Sequence, residues 1–152
     1  MQYFLDTSAL AKLFHFEVGS DIVHAICHTE SNQLFVSSLA LLELTSVGAI
    51  KVRTGALSEA AAELIQDKVS FSLTTGQFLA QRLDDGVLES AAGLLSRYAR
   101  KQSLRTLDAI HLASAIRRTE LSGLLDYFVT ADRTLAAVAR LEGFAVIDPE
   151  RA

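Results

Sequence analysis

Four acidic residues stand where a carboxylate is either a liability or a ligand. Asp6 closes the apolar run Gln2-Tyr3-Phe4-Leu5, and Glu43 lies within Leu39-Ala40-Leu41-Leu42-Glu43-Leu44. Asp108 follows Arg105-Thr106-Leu107, and Asp132 follows Val129-Thr130-Ala131. An unpaired carboxylate among leucines is costly to bury, and carboxylates a few ångströms apart raise one another's pKa and resist ionising together. A hard divalent cation removes both conflicts. Mg²⁺ takes oxygen ligands in near-octahedral geometry and keeps several of its waters, so a few carboxylates plus phosphate oxygens suit it, and Mn²⁺ shares that preference. Zinc fits less well, because His15, His24, His28 and His111 show no ligand pattern; His24 and His28 are four apart without the acid of an HExxH motif.

For the acids to meet, the chain must carry them to one edge. Short apolar runs alternate with amphipathic stretches, which predicts an α/β fold with a parallel sheet. Strands are expected over Gln2–Leu5, Leu34–Ser37, Phe78–Leu83, Tyr127–Thr130 and Phe144–Ile147. Helices are expected after Asp6, over about Gly19–Thr29 and over Leu39–Arg53 with Ser38 as N-cap. Further helices should start at Ser58-Glu59 and at Asp84 or Asp85, and run over Thr106–Arg118 and Arg133–Glu142. In open parallel sheets ligands bind beyond the carboxyl ends of the strands, at the switch point of the topology. Asp6 and Asp132 follow strands directly, Glu43 sits on the helix leaving the second strand, and Asp108 opens a helix that leads into a later strand.

Plainer roles stand beside these. Asp6 and Asp132 can act as N-caps, and Asp108 can answer the dipole of its helix. Asp126 precedes the strand that ends near Asp132, so at ~3.3 Å per residue the two belong to opposite edges, and Asp126 is left out of the site. His111 shares a helix face with Asp108 and is read as a packing or hydrogen-bonding residue. Thr7 and Thr130 can reach the site through hydroxyls, and Arg105 and Arg133 can meet phosphate.

The 152 residues, half of them hydrophobic, suit one domain with a sizeable core, expected to span 1–152. A net charge of −4 argues against binding nucleic acid through an extended basic surface. It leaves open a site whose bound cations reverse the local sign. The basic clusters Arg97, Arg100, Lys101 and Arg105, and Arg117 with Arg118, are read first as solvated helix faces and second as phosphate contacts. No signal-like start and no long uncharged apolar segment occur, which predicts a soluble cytoplasmic protein that meets no membrane. The single cysteine, Cys27, allows no internal disulfide and is expected to be buried.

Taken together, Leu5-Asp6-Thr7-Ser8-Ala9-Leu10, Leu42-Glu43-Leu44, Arg105-Thr106-Leu107-Asp108-Ala109-Ile110-His111-Leu112-Ala113 and Val129-Thr130-Ala131-Asp132-Arg133 resemble the successive motifs of PIN-domain ribonucleases, nearest the VapC toxins of prokaryotic toxin–antitoxin pairs. The resemblance spans essentially the whole chain. It implies a PIN-like three-layer sandwich, a central, mostly parallel sheet of four to five strands flanked by helices, with the first strand in the middle. It also implies that Asp6, Glu43, Asp108 and Asp132 hold one or two Mg²⁺ or Mn²⁺ ions for hydrolysis of RNA phosphodiesters, with Ser8 adding a hydroxyl beside the first carboxylate. A small antitoxin partner and a homodimer are further implications. A non-catalytic regulatory or phospho-receiver-like module is the alternative, since it too places aspartates after parallel strands; Glu43 and the paired Asp108 and Asp132 motifs disfavour it. A haloacid-dehalogenase-like phosphatase would need an aspartate at position 8, where the chain has Ser8, and no nucleotide-binding glycine loop occurs.

Overall fold

The computed structural model describes residues 1–123 and 125–151. Five strands, β1 (Gln2–Leu5), β2 (Gln33–Ser37), β3 (Phe78–Gln81), β4 (Tyr127–Val129) and β5 (Val146–Ile147), form one sheet in the order β3-β2-β1-β4-β5. All four pairings are parallel. Among the described residues seven helices accompany them: α1 (Thr7–Phe14), α2 (Ser20–Cys27), α3 (Leu39–Arg53), α4 (Glu59–Thr74), α5 (Asp85–Gln102), α6 (Thr106–Ser122) and α7 (Arg133–Leu141). β1 is central, as expected, because the chain builds outward through β2 and β3 on one side and then returns to add β4 and β5 on the other.

Side chains alternate across the strands and create two cores, which makes the three layers. Phe4, Phe35 and Phe128 point to one face and pack with Val87 and Leu94 of α5, Leu112 of α6 and Leu135 of α7. Tyr3, Leu5, Leu34, Val36 and Val129 point to the other and pack with Leu10 of α1, Val23 of α2, Leu44 of α3 and Val69 of α4. Stacked aromatic pairs, Phe4 on Phe128 and Tyr3 on Tyr127, hold β1 to β4 on both faces. Cys27 is buried, as expected, and burial pushes its thiol up to about 12. Among the described residues no helix is long and apolar enough to cross a membrane.

The local readings differ from the sequence in a few places. The β3 and β5 runs are shorter than Phe78–Leu83 and Phe144–Ile147, and α4 continues to Thr74 through a stretch whose periodicity is ambiguous. Asp84 rather than Asp85 caps α5, accepting from the Val87 amide at 2.8 Å. The side chain of Ser38 caps nothing, since its backbone is already helical; Ser37 Oγ instead accepts from the Leu39 amide at 3.1 Å.

The α1–α2 turn is clasped to the last described residues. Buried Lys12 donates to Glu17 at 3.0 Å, Glu150 at 2.8 Å and the carbonyl of Val18 at 2.9 Å. Gly19 has φ +84, and a Cβ there would fall on the carbonyl of Pro149. Gly19→Ala is therefore expected to destabilise the protein by about 1–3 kcal/mol. An unchanged thermal midpoint would show that this segment can yield without cost.

Candidate functional site

The register brings the carboxyl ends of the strands level. Leu5 pairs with Val36 on one side and Val129 on the other, so Asp6 and Thr130 emerge side by side between β1 and β4. That is the switch point of the sheet, from which the chain leaves in opposite directions. All the candidate acids have partners at this edge, whereas Asp126 lies at the other, accepting from the Gln2 amide at 2.7 Å.

Asp6 is both cap and site residue. It is 3% exposed. Its Oδ1 accepts from the Ala9 amide at 2.9 Å, its Oδ2 from Thr130 Oγ1 at 2.7 Å, and the Ser8 hydroxyl lies at 2.8 and 2.9 Å from the two oxygens. Ser8 Oγ in turn accepts from the Ala131 amide at 2.9 Å, and Thr130 Oγ1 from the Asp132 amide at 3.0 Å. The hydroxyls of Ser8 and Thr130 thus bind the β1 end to the β4–α7 turn. Burial raises the pKa of Asp6 above the ordinary carboxylate value, and its hydrogen bonds and the charge of His111 only partly offset this.

Asp132 divides its oxygens. Oδ1 caps α7 through the Leu135 amide at 2.8 Å, while Oδ2 accepts from Arg105 Nη2 at 2.7 Å. Asp108, in the first turn of α6, takes Arg105 Nε at 2.8 Å. One guanidinium therefore bridges two of the four acids. Three other basic residues singled out in the sequence have partners elsewhere: Arg97 pairs with Glu142, Arg117 with Glu120 and Asp84, and the Arg118 guanidinium lies 4.0 Å over the Phe35 ring.

Glu43 departs from its sequence-based setting. Leu42 beside it is 69% exposed, so the leucine run does not bury this carboxylate; α3 presents Leu39, Ala40 and Leu44 inward instead. Glu43 is half-buried because α3 aims it at the end of β1. There Oε2 accepts from the Thr7 hydroxyl and from His111 Nε2, the latter at 2.6 Å, while Oε1 has no hydrogen bond among the described residues. Burial alone would raise its pKa, but the hydrogen bonds from His111 and Thr7, with the charges of His111 and Arg105, hold it below the ordinary range. The bond to Glu43 requires a proton on Nε2, while Nδ1 is buried without a partner.

The sequence under-read three contacts: Thr7 and His111 gripping Glu43, and Arg105 spanning Asp108 and Asp132. The spacing of Arg105 and His111, each three residues from Asp108, is the signal that could have found two of them. Thr7 had no such signal.

A model of the PIN domain matches residues 3–141. The chain belongs to the PIN-domain family. No curated protein matches its sequence. Solved structures similar to this PIN domain include Mycobacterium tuberculosis VapC20, a sarcin-ricin loop cleaving toxin, at 17% identity and TM-score 0.68, covering 94% of this chain and 96% of that one. FitAcB from Neisseria gonorrhoeae follows at 18% and 0.65, covering 99% of each chain. VapBC2 from Rickettsia felis, bound to a DNA fragment from its promoter, aligns at 14% and 0.63, covering 97% of this chain and 98% of that one. At such identities the likeness is one of fold.

Asp6 and Glu43 should have opposite effects on stability. A raised folded-state pKa at Asp6 contributes stability that is full below its unfolded value and is lost as pH rises through the folded value, whereas the contribution of Glu43 is lost only as pH falls below the ordinary range. In EDTA, Asp6→Asn, which keeps a good N-cap, is expected to raise the thermal midpoint at pH 8 more than at pH 5. A midpoint lowered equally at both pH values would contradict a buried, reluctantly ionised Asp6.

Proposed function

We propose that this PIN domain is a cytoplasmic, divalent-cation-dependent endoribonuclease, the toxin of a toxin–antitoxin pair, with Asp6, Glu43, Asp108 and Asp132 as its catalytic, metal-holding carboxylates and Ser8 and Thr130 in support. The observation that supports the reading is that Asp6 and Asp132 follow adjacent strands at the switch point of the sheet, with the Arg105 guanidinium seated between Asp132 and Asp108.

The donor set suits Mg²⁺ or Mn²⁺. Its oxygens are all carboxylate or hydroxyl, and a cationic group already occupies the place of a counter-ion. Among the described residues no three His, Cys, Asp or Glu side chains form a ready-made metal cage. An open set is what Mg²⁺ accepts, since it keeps several waters and needs only one or two carboxylates in direct contact. When bound, the cation supplies a water of lowered pKa and neutralises charge on the scissile phosphate. Thr7 and His111 fix Glu43 by one oxygen and leave Oε1 available. Ser8 and Thr130 hold Asp6 so that β1 and β4 present their ends at a fixed separation. No side chain is needed as a covalent nucleophile.

The similar VapC20 structure is described as a toxin that cleaves the sarcin-ricin loop, which supports RNA as the substrate class. VapBC2 and FitAcB, both structurally similar, support a small antitoxin partner, and a second copy of the chain completes the proposed assembly. The phospho-receiver alternative gives no role to Glu43, which α3 brings to the same edge, or to the Arg105 bridge between Asp108 and Asp132.

Antitoxin-free protein incubated with a mixed RNA pool is expected to cut with Mg²⁺ or Mn²⁺, to stop in EDTA, and to leave 5′-phosphate and 3′-hydroxyl ends. Asp6→Asn should reduce cutting by at least about a hundredfold, the scale of losing a group that acts chiefly in the transition state. Metal-independent cutting, or 2′,3′-cyclic phosphate ends, would refute this mechanism.

Removal of His111 should act through Glu43. His111→Leu is expected to weaken Mn²⁺ binding about tenfold, the lower end of losses when the group that orients a metal ligand is removed. His111→Gln, which keeps a donor, should recover part of it, and equal affinity in both variants would exclude the orienting role.

A further inference from the structure

Arg105 occupies an unusual place for a residue that the mechanism above does not use. Ser103 turns the chain with φ +57 after α5, and buried Leu104 anchors the turn. Arg105 then takes the N-cap position of α6, where its side chain cannot cap the helix. Its guanidinium instead reaches over the carboxylate edge. Nε lies 2.8 Å from Asp108 Oδ2, and Nη2 lies 2.7 Å from Asp132 Oδ2 and 3.4 Å from Asp108 Oδ1. The side chain is 70% exposed, while those of Asp108 and Asp132 are 13% and 24% exposed. The cation therefore closes the acidic pair from the solvent side. It has no other hydrogen-bond partner among the described residues.

We propose that Arg105 is a resident counter-cation that competes with the divalent ion for Asp108 and Asp132, and that, once displaced, it serves as the phosphate clamp for the incoming RNA. The inference rests on the nuclease reading. Two positive charges do not share one pair of carboxylates without repulsion, so entry of the ion must move the guanidinium. That movement is cheap, because an exposed side chain on a flexible stem gives up only the pair itself. The freed fork stays at the mouth of the site, anchored at the start of α6. Its donors match two phosphate oxygens at once, which a lysine ammonium does not reproduce. The same arginine thus keeps the carboxylates compensated while the site is empty and supplies positive charge at the carboxylate edge of a protein of net charge −4.

The experiment compares Mn²⁺ binding, followed by the electron paramagnetic resonance signal of the free ion, in wild type, Arg105→Gln, Arg105→Lys and Asp6→Asn, with RNA cleavage measured at saturating Mn²⁺. Arg105→Gln is expected to bind Mn²⁺ about three- to tenfold more tightly than wild type, the scale of one nearby screened charge. At saturating Mn²⁺ its KM for RNA should rise about tenfold, the scale of losing a charge-assisted contact, while kcat changes less. Arg105→Lys should retain near-wild-type Mn²⁺ affinity but share the raised KM. If wild type binds Mn²⁺ and Arg105→Gln binds it equally or more weakly, the competition is refuted and the nuclease reading stands; an unchanged KM refutes the clamp in the same way. If wild type binds no Mn²⁺ and behaves as Asp6→Asn, the nuclease reading itself fails and the inference with it.

Discussion

Placing acids together at the carboxyl edge of a parallel sheet sets the terms for everything around them. Each carboxylate brought there loses water and meets the charge of the others, so each must find compensation locally. The chain supplies it in three ways: backbone amides of helix starts to Asp6 and Asp132, hydroxyls from Thr7, Ser8 and Thr130, and the cationic or polar side chains of Arg105 and His111. The helices therefore begin where they do for two reasons at once. An aspartate that caps α1 or α7 spends an oxygen on the helix and presents the carboxylate at the switch point.

This double use explains why the capping and site readings of Asp6 and Asp132 are not rivals. A cap fixes the side chain in one rotamer, and a fixed carboxylate is a better ligand than a free one. The tightness is uneven, however. Asp6 is enclosed and held by several donors, while Asp108 and Asp132 are bridged on the solvent side by an exposed arginine. The edge thus has an enclosed floor built from β1 and β4 and a more open mouth at the start of α6.

The two faces of the sheet support that edge differently. The phenylalanine face, packed under α5, α6 and α7, positions Asp108, His111 and Asp132, and the opposite face, under α1 to α4, positions Glu43 and Thr7. The site is the line along which the two cores meet, which is why the contacts of His111 with Glu43 and of Thr130 with Asp6 join residues 68 and 124 positions apart in the chain. The clasp of Lys12, Glu17 and Glu150 serves the same end at a distance, tying the end of α1 to the residues after β5.

Sequence alone determined the order of elements and singled out the four acids, because strand alternation, helix period and capping residues are local signals written in consecutive residues, whereas the central place of β1 was implied only by the resemblance to PIN-domain ribonucleases. It misjudged Glu43, whose leucine neighbours suggested burial although Leu42 is exposed, since apolar composition does not state which way a helix is rolled. It left Thr7, His111 and Arg105 undecided, because a hydroxyl, an imidazole or a guanidinium acquires its role from a partner far along the chain. Only the tertiary structure decided that Arg105 would lie across Asp108 and Asp132 and that Glu43 would keep one oxygen free. Those outcomes depend on the relative placement of α3, α6 and the β4–α7 turn, a geometry that packing sets and that no run of consecutive residues encodes.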